Sequence, residues 1–111
     1  MANTFKLKTF DGSGTAANAA MTVYTVPGAT TCVVLGITLA NLASSTVYAT
    51  VLIENNDGDN VNFLKSIPIP TGSSVEVMSG NKLILETSDV LKVKSDTVNS
   101  LDTSLSIMEQ A

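Results

Sequence analysis

The densest run of potential oxygen ligands is Glu54-Asn55-Asn56-Asp57-Gly58-Asp59-Asn60. Calcium takes roughly six to eight oxygens from such a loop, and Asp57, Asp59 and Asn60 could supply some of them. The calcium-hand spacing with a closing glutamate is missing, because the residues before this run alternate like a strand. With its Asp-Gly step the run reads as a hairpin tip, and no metal is expected. Paired carboxylates for glycosidic acid–base chemistry could come from Glu54, Glu76, Glu86 and Asp89. Each falls on an outward strand position or in a turn. The groove such chemistry needs would have to be lined from two tyrosines and three phenylalanines, with no tryptophan. Serine and threonine are plentiful, but a hydroxyl nucleophile needs a base and the chain has no histidine.

Cys32 is the only cysteine, which excludes a disulfide within one chain. It lies in Thr31-Cys32-Val33-Val34-Leu35 with no cation nearby in sequence, so a buried, unreactive thiol is expected. Gly12-Ser13-Gly14 opens no helix and is not a phosphate loop. Lys92 and Lys94 share one strand face and read as its solvated side, or as lysines guarding an edge. Without arginine or interleaved aromatic residues they do not make a nucleic-acid groove. The residues therefore point away from an enzyme and require no cofactor.

Composition agrees. The chain has 111 residues, 11.5 kDa, six lysines, no arginine and a net charge of -4, the reverse of a nucleic-acid-binding balance. One domain over residues 1–111 is expected, exposing roughly 5,800 Å² when folded. Met1-Ala2-Asn3-Thr4-Phe5-Lys6 lacks the pattern of a signal peptide. The most apolar stretch, Cys32 to Ala43, is twelve residues, against about 20 for a spanning helix, so membrane insertion is not expected.

Period two dominates the sequence. Phe5 and Leu7 alternate with Lys6 and Lys8, one pair expected inside and one wet. A flexible loop is expected around residues 11–20. Met21–Val26 alternates up to Pro27-Gly28, where glycine suits a type II turn. In the longest apolar run, Val33, Leu35, Ile37 and Leu39 are the expected core set, opposite Cys32, Val34, Gly36 and Thr38. Val47, Ala49, Val51 and Ile53 share a face opposite Tyr48, Thr50, Leu52 and Glu54, and these two successive long strands are expected to form a hairpin. Ile67-Pro68-Ile69-Pro70 can only run along an edge. Val75 with Val77, Leu83 with Leu85, Leu91 with Val93, and Leu101, Leu105 and Ile107 mark later inner faces, with a turn expected over Ser79-Gly80-Asn81-Lys82. Eight or nine short strands at this spacing predict an all-β, single antiparallel sandwich, immunoglobulin-like or jelly-roll.

The 42 residues from Gly12 to Ile53 carry no charge. A small monomer relies on surface ionic groups for solubility, so strand surface this neutral is expected to be covered by other subunits. Tyr24, Tyr48 and Leu52 are the expected outward contact residues, tyrosine offering ring area with a hydroxyl that tolerates water.

The opening Met1-Ala2-Asn3-Thr4-Phe5, together with Val23-Tyr24-Thr25-Val26-Pro27 and Val33–Asn41, resembles small virion structural proteins of tailed bacteriophages, especially those infecting marine bacteria and cyanobacteria. Ile67–Val77, Gly80–Thr87 and Leu105-Ser106-Ile107-Met108-Glu109-Gln110 share the likeness, which spans about two-thirds of the chain. The resemblance implies a late protein built in many copies into a virion assembled in the host cytoplasm, with no catalytic residues. A capsid decoration or cement protein contacting the major capsid protein is the leading expectation. It would be a homo-oligomer, for which a closed trimer would suit. A tail, neck or baseplate component is the alternative. A carbohydrate-binding module, using Tyr24, Tyr48 and Phe63 as platforms, is a third reading.

Overall fold

The computed structural model describes residues 3–12, 16–78 and 82–111. Nine strands are present among them: β1 (Asn3–Phe10), β2 (Met21–Thr25), β3 (Thr31–Asn41), β4 (Val47–Glu54), β5 (Asn60–Ile69), β6 (Ser74–Glu76), β7 (Leu83–Leu85), β8 (Val90–Ser95) and β9 (Leu101–Gln110). They form two antiparallel sheets. One has the order β1-β9-β3-β6, with β7 also paired to β3; the other has the order β2-β8-β4-β5. We call them the first and second sheet. The folded chain exposes 5731 Å², as a monomer of this mass should.

The core fills the space between the sheets. The second sheet contributes Val47, Ala49, Val51, Leu91 and Val93, the inner sets expected for those strands. From the first come Leu101, Leu105 and Ile107 of β9, Leu85 of β7, and Cys32, Val34, Ile37 and Leu39 of β3. The set on β3 corrects the expected one. Val34 pairs with Ile107 and Gly36 with the next residue, Ser106, which leaves Leu35 as an extra residue in the ladder. A bulge of one residue reverses the face of everything after it. Before Leu35 the even-numbered residues point inward; after it the odd-numbered ones do. Val33 is only half-buried and Leu35 is exposed.

The same device acts in β2. Thr22 pairs with Lys92 and Tyr24 with Leu91, leaving Val23 unopposed. Tyr24 is thereby turned inward. The strand ends at the expected turn, but Ala29 and not Gly28 takes the left-handed conformation, with φ 54°.

The expected hairpin of β3 with β4 does not form, since the two strands belong to opposite sheets. Both edges of β3 are already occupied, by β9 on one side and by β6 and β7 on the other. Asn41 turns the chain from one sheet to the other. Its side-chain amide donates to the carbonyls of Ser45 and Ile69, at 2.9 and 2.8 Å, and its side-chain oxygen accepts from the Ala43 amide at 2.7 Å.

The hairpin is instead β4–β5. At its tip Asn55 Oδ1 accepts from the amides of Asp57 and Asp59, and Gly58 adopts φ 91°. As the prolines required, β5 lies at an edge. Residues 13–15 of the expected loop and 79–81 of the expected turn lie outside the described residues. Beside the loop residues, the Gly12 amide donates to Asp102 Oδ1 at 2.9 Å and the Asn18 amide to the Ser95 carbonyl at 2.7 Å.

Candidate assembly interface

Strand pairing places Phe5 opposite Met108, Met108 opposite Val33, and Val33 opposite Ile84. Directly opposed residues share a face. These four therefore form one apolar row across β1, β9, β3 and β7 on the outer face of the first sheet. Phe5 is 71% exposed and Ile84 63%. In the next row Leu7, 67% exposed, stands opposite Ser106, with the bulged Leu35 beside it. Further along come Thr9, Ser104, Thr38 and Glu76 in register. The two apolar rows hold no charged residue. Together they make a contiguous exposed apolar patch.

The outer face of the second sheet differs. Lys92 and Glu54 meet there at 2.5 Å, and Lys94 stands opposite Thr50. Tyr48 is exposed on this face, at the rim of a recess of about 120 Å³ that also involves Lys65, Lys94 and Asp96. That is well below the roughly 300 Å³ at which small-molecule sites begin. Leu52 lies on the same face but is only 8% exposed, between Asn62 and Lys92 at the paired positions.

Of the three expected contact residues, then, only Tyr48 is available at the surface. Tyr24 is 5% exposed because the Val23 bulge turns it into the core. Its hydroxyl donates to Glu109 Oε2 at 2.5 Å, and the other oxygen of Glu109 pairs with Lys6 at 2.7 Å. Burial, then the bond to Glu109, pushes the Tyr24 hydroxyl well above its usual range. Burial likewise raises the Cys32 thiol, which lies against Tyr24. Glu109 is held below the usual carboxylate range by the hydrogen bonds from Lys6 and Tyr24, against the effect of its own burial.

This cluster also explains why β1 is turned over relative to expectation. Leu101, Leu105 and Ile107 fix the inner face of β9, which carries Glu109 inward with them. A buried carboxylate without a partner costs more than an exposed phenylalanine. Lys6 therefore takes the inner side, and Phe5 and Leu7 face out. Alternation gave the period of β1 but not its sign, and this is why the exposed row escaped sequence reasoning.

The other carboxylates hold the fold together. Glu76 accepts from the amides of Ile37 and Met78 and from the Thr38 hydroxyl. Asp89 accepts from the amides of Asn56 and Glu86. Among the described residues no group of three or more histidine, cysteine, aspartate or glutamate side chains is arranged to hold a metal, and the acidic tip at 54–60 is organised around Asn55. No protein-family model matches this chain, and no curated protein matches it.

Proposed function

We propose that this chain is a non-catalytic structural component of a tailed-phage particle, a decoration or cement protein on the head that is present as a homo-oligomer and contacts the major capsid protein. The observation that carries the reading is the pair of uncharged apolar rows on the outer face of the first sheet, built from Phe5, Leu7, Val33, Leu35, Ile84 and Met108. Sequence resemblance directs the reading to the virion; the face supplies a physical means of attachment. Many copies, each held by modest apolar contact, would bind collectively far more tightly than one. The strands cross repeatedly between the sheets, and we place this order within the immunoglobulin-like and jelly-roll group of sandwiches.

Electron microscopy of intact particles tests the assignment. Density for this chain over the head, with the first sheet turned toward its neighbours, is the expected result. Density confined to the tail, neck or baseplate at a few to tens of copies would replace it with the alternative. Sugar binding draws little support from its three expected platforms: Tyr24 is buried and Phe63 half-buried, which leaves only Tyr48 exposed.

A further inference from the structure

Among the described residues the sandwich has four sheet edges, and three are blunted against pairing. β2 is five residues long and bulged at Val23. β5 is interrupted by register shifts on both sides of Val51 and contains Pro68. β6 and β7 are three residues each. β1 differs from all of them. It runs eight residues without proline and pairs with β9 in unbroken register from Asn3 opposite Gln110 to Phe10 opposite Thr103. No strand is hydrogen-bonded to its other edge among the described residues. A long, regular edge with unpaired amides and carbonyls and apolar side chains on one face is a template for another strand.

We propose that this edge pairs with the β1 edge of a second copy of the chain, antiparallel about a two-fold axis at Phe5, joining two first sheets into one. The charges select both the partner and the register. An axis at Lys6 would set Lys6 against its own copy, one at Leu7 would set Lys6 against Lys8, and one at Lys8 would oppose Lys8 to itself. Like charges directly opposed are destabilising. An axis at Thr4 would shorten the overlap and set Phe5 against Asn3. With the axis at Phe5, Lys6 stands opposite Thr4 of the other copy, Leu7 opposite Asn3, and the two phenylalanines meet. The two apolar rows then run end to end, from Ile84 through Val33, Met108 and Phe5 of one copy to the same residues of the other. A closed trimer would instead need β1 to pair with a different edge, and the other edges are blunted. The inference stands on edge geometry and holds whether or not the chain belongs to a particle.

The short overlap predicts a dissociation constant between about 10 and 100 μM. Sedimentation velocity of the full chain at about 0.5 mM should therefore show mainly dimer. Phe5→Lys and Phe5→Glu, made at a site 71% exposed and outside the core, should each be folded and mainly monomeric at that concentration, at least about a hundredfold weaker in association. An equimolar mixture of the two should recover the dimer, because only an axis at Phe5 sets these side chains against each other. Phe5→Cys should form a disulfide-linked dimer under mild oxidation far faster than Leu7→Cys, since directly opposed residues lie within disulfide reach; Cys32 is fully buried and does not compete. A monomeric wild type, dimers that persist in the single-charge variants, or a mixture that stays monomeric would each overturn the proposal.

Discussion

Two buried polar side chains have consequences out of proportion to their size. Asn41 satisfies three backbone groups at the crossing between the sheets, and a buried donor or acceptor left without a partner costs about 1–3 kcal/mol. Asn41→Ala should lower stability by about 2–4 kcal/mol in urea unfolding. Glu109 gives a pH-dependent contribution. Its folded pKa lies below its unfolded value of about 4.3. What it adds is therefore complete above that pH and is lost as pH falls through the lower folded value. Glu109→Gln should cost about 1–2 kcal/mol at pH 7, the Lys6 share being discounted because that side chain is 41% exposed. The gap should narrow as the pH falls below the unfolded value of about 4.3. Tyr24 has the opposite sign: burial and Glu109 raise its pKa, so its share is complete below about pH 10 and lost above it. Tyr24→Phe should cost about 2 kcal/mol at pH 7, and its stability should fall less steeply above pH 10 than that of the wild type. None of these partnerships was legible in the sequence, because Tyr24 and Glu109 lie 85 residues apart and a bulge decides that they meet.

Element by element, the sequence told more about period than about face. β4 and β8 were readable because Val47, Ala49, Val51 and Ile53, and Leu91 with Val93, keep one face without interruption. β5 was readable as an edge from its prolines alone. β2 and β3 were misread from a single residue each, since an extra residue at Val23 or Leu35 leaves no mark in a Val- and Leu-rich run. The Leu35 bulge makes an unusual forecast. Deleting one residue from a central strand normally turns every later side chain to the wrong face. Deleting Leu35 should not, because Val34 and Gly36 already pair with consecutive residues of β9. The Leu35 deletion should fold with the native circular dichroism spectrum and lose no more than about 2 kcal/mol. Deletion of Thr38, three residues on, should abolish folding.

At the level of the whole molecule, the two outer faces are unequal. The second sheet presents lysines, threonines and an ion pair; the first presents two uncharged apolar rows, with Glu76 and Asp102 only in the rows beyond them. The uncharged stretch from Gly12 to Ile53 supplies only Val33 and Leu35 to the apolar side chains of these rows. The remainder comes from Phe5, Leu7, Ile84 and Met108, at both ends of the chain and in a three-residue strand. Sheet pairing gathers them, and no local sequence window could. Side-chain oxidation by hydroxyl radicals, read by mass spectrometry on the isolated chain and on intact particles, tests most directly whether this face is covered in the assembly. Phe5, Leu7 and Met108 should be labelled at least about fivefold less in the particle. Equal labelling in the two states would contradict the account.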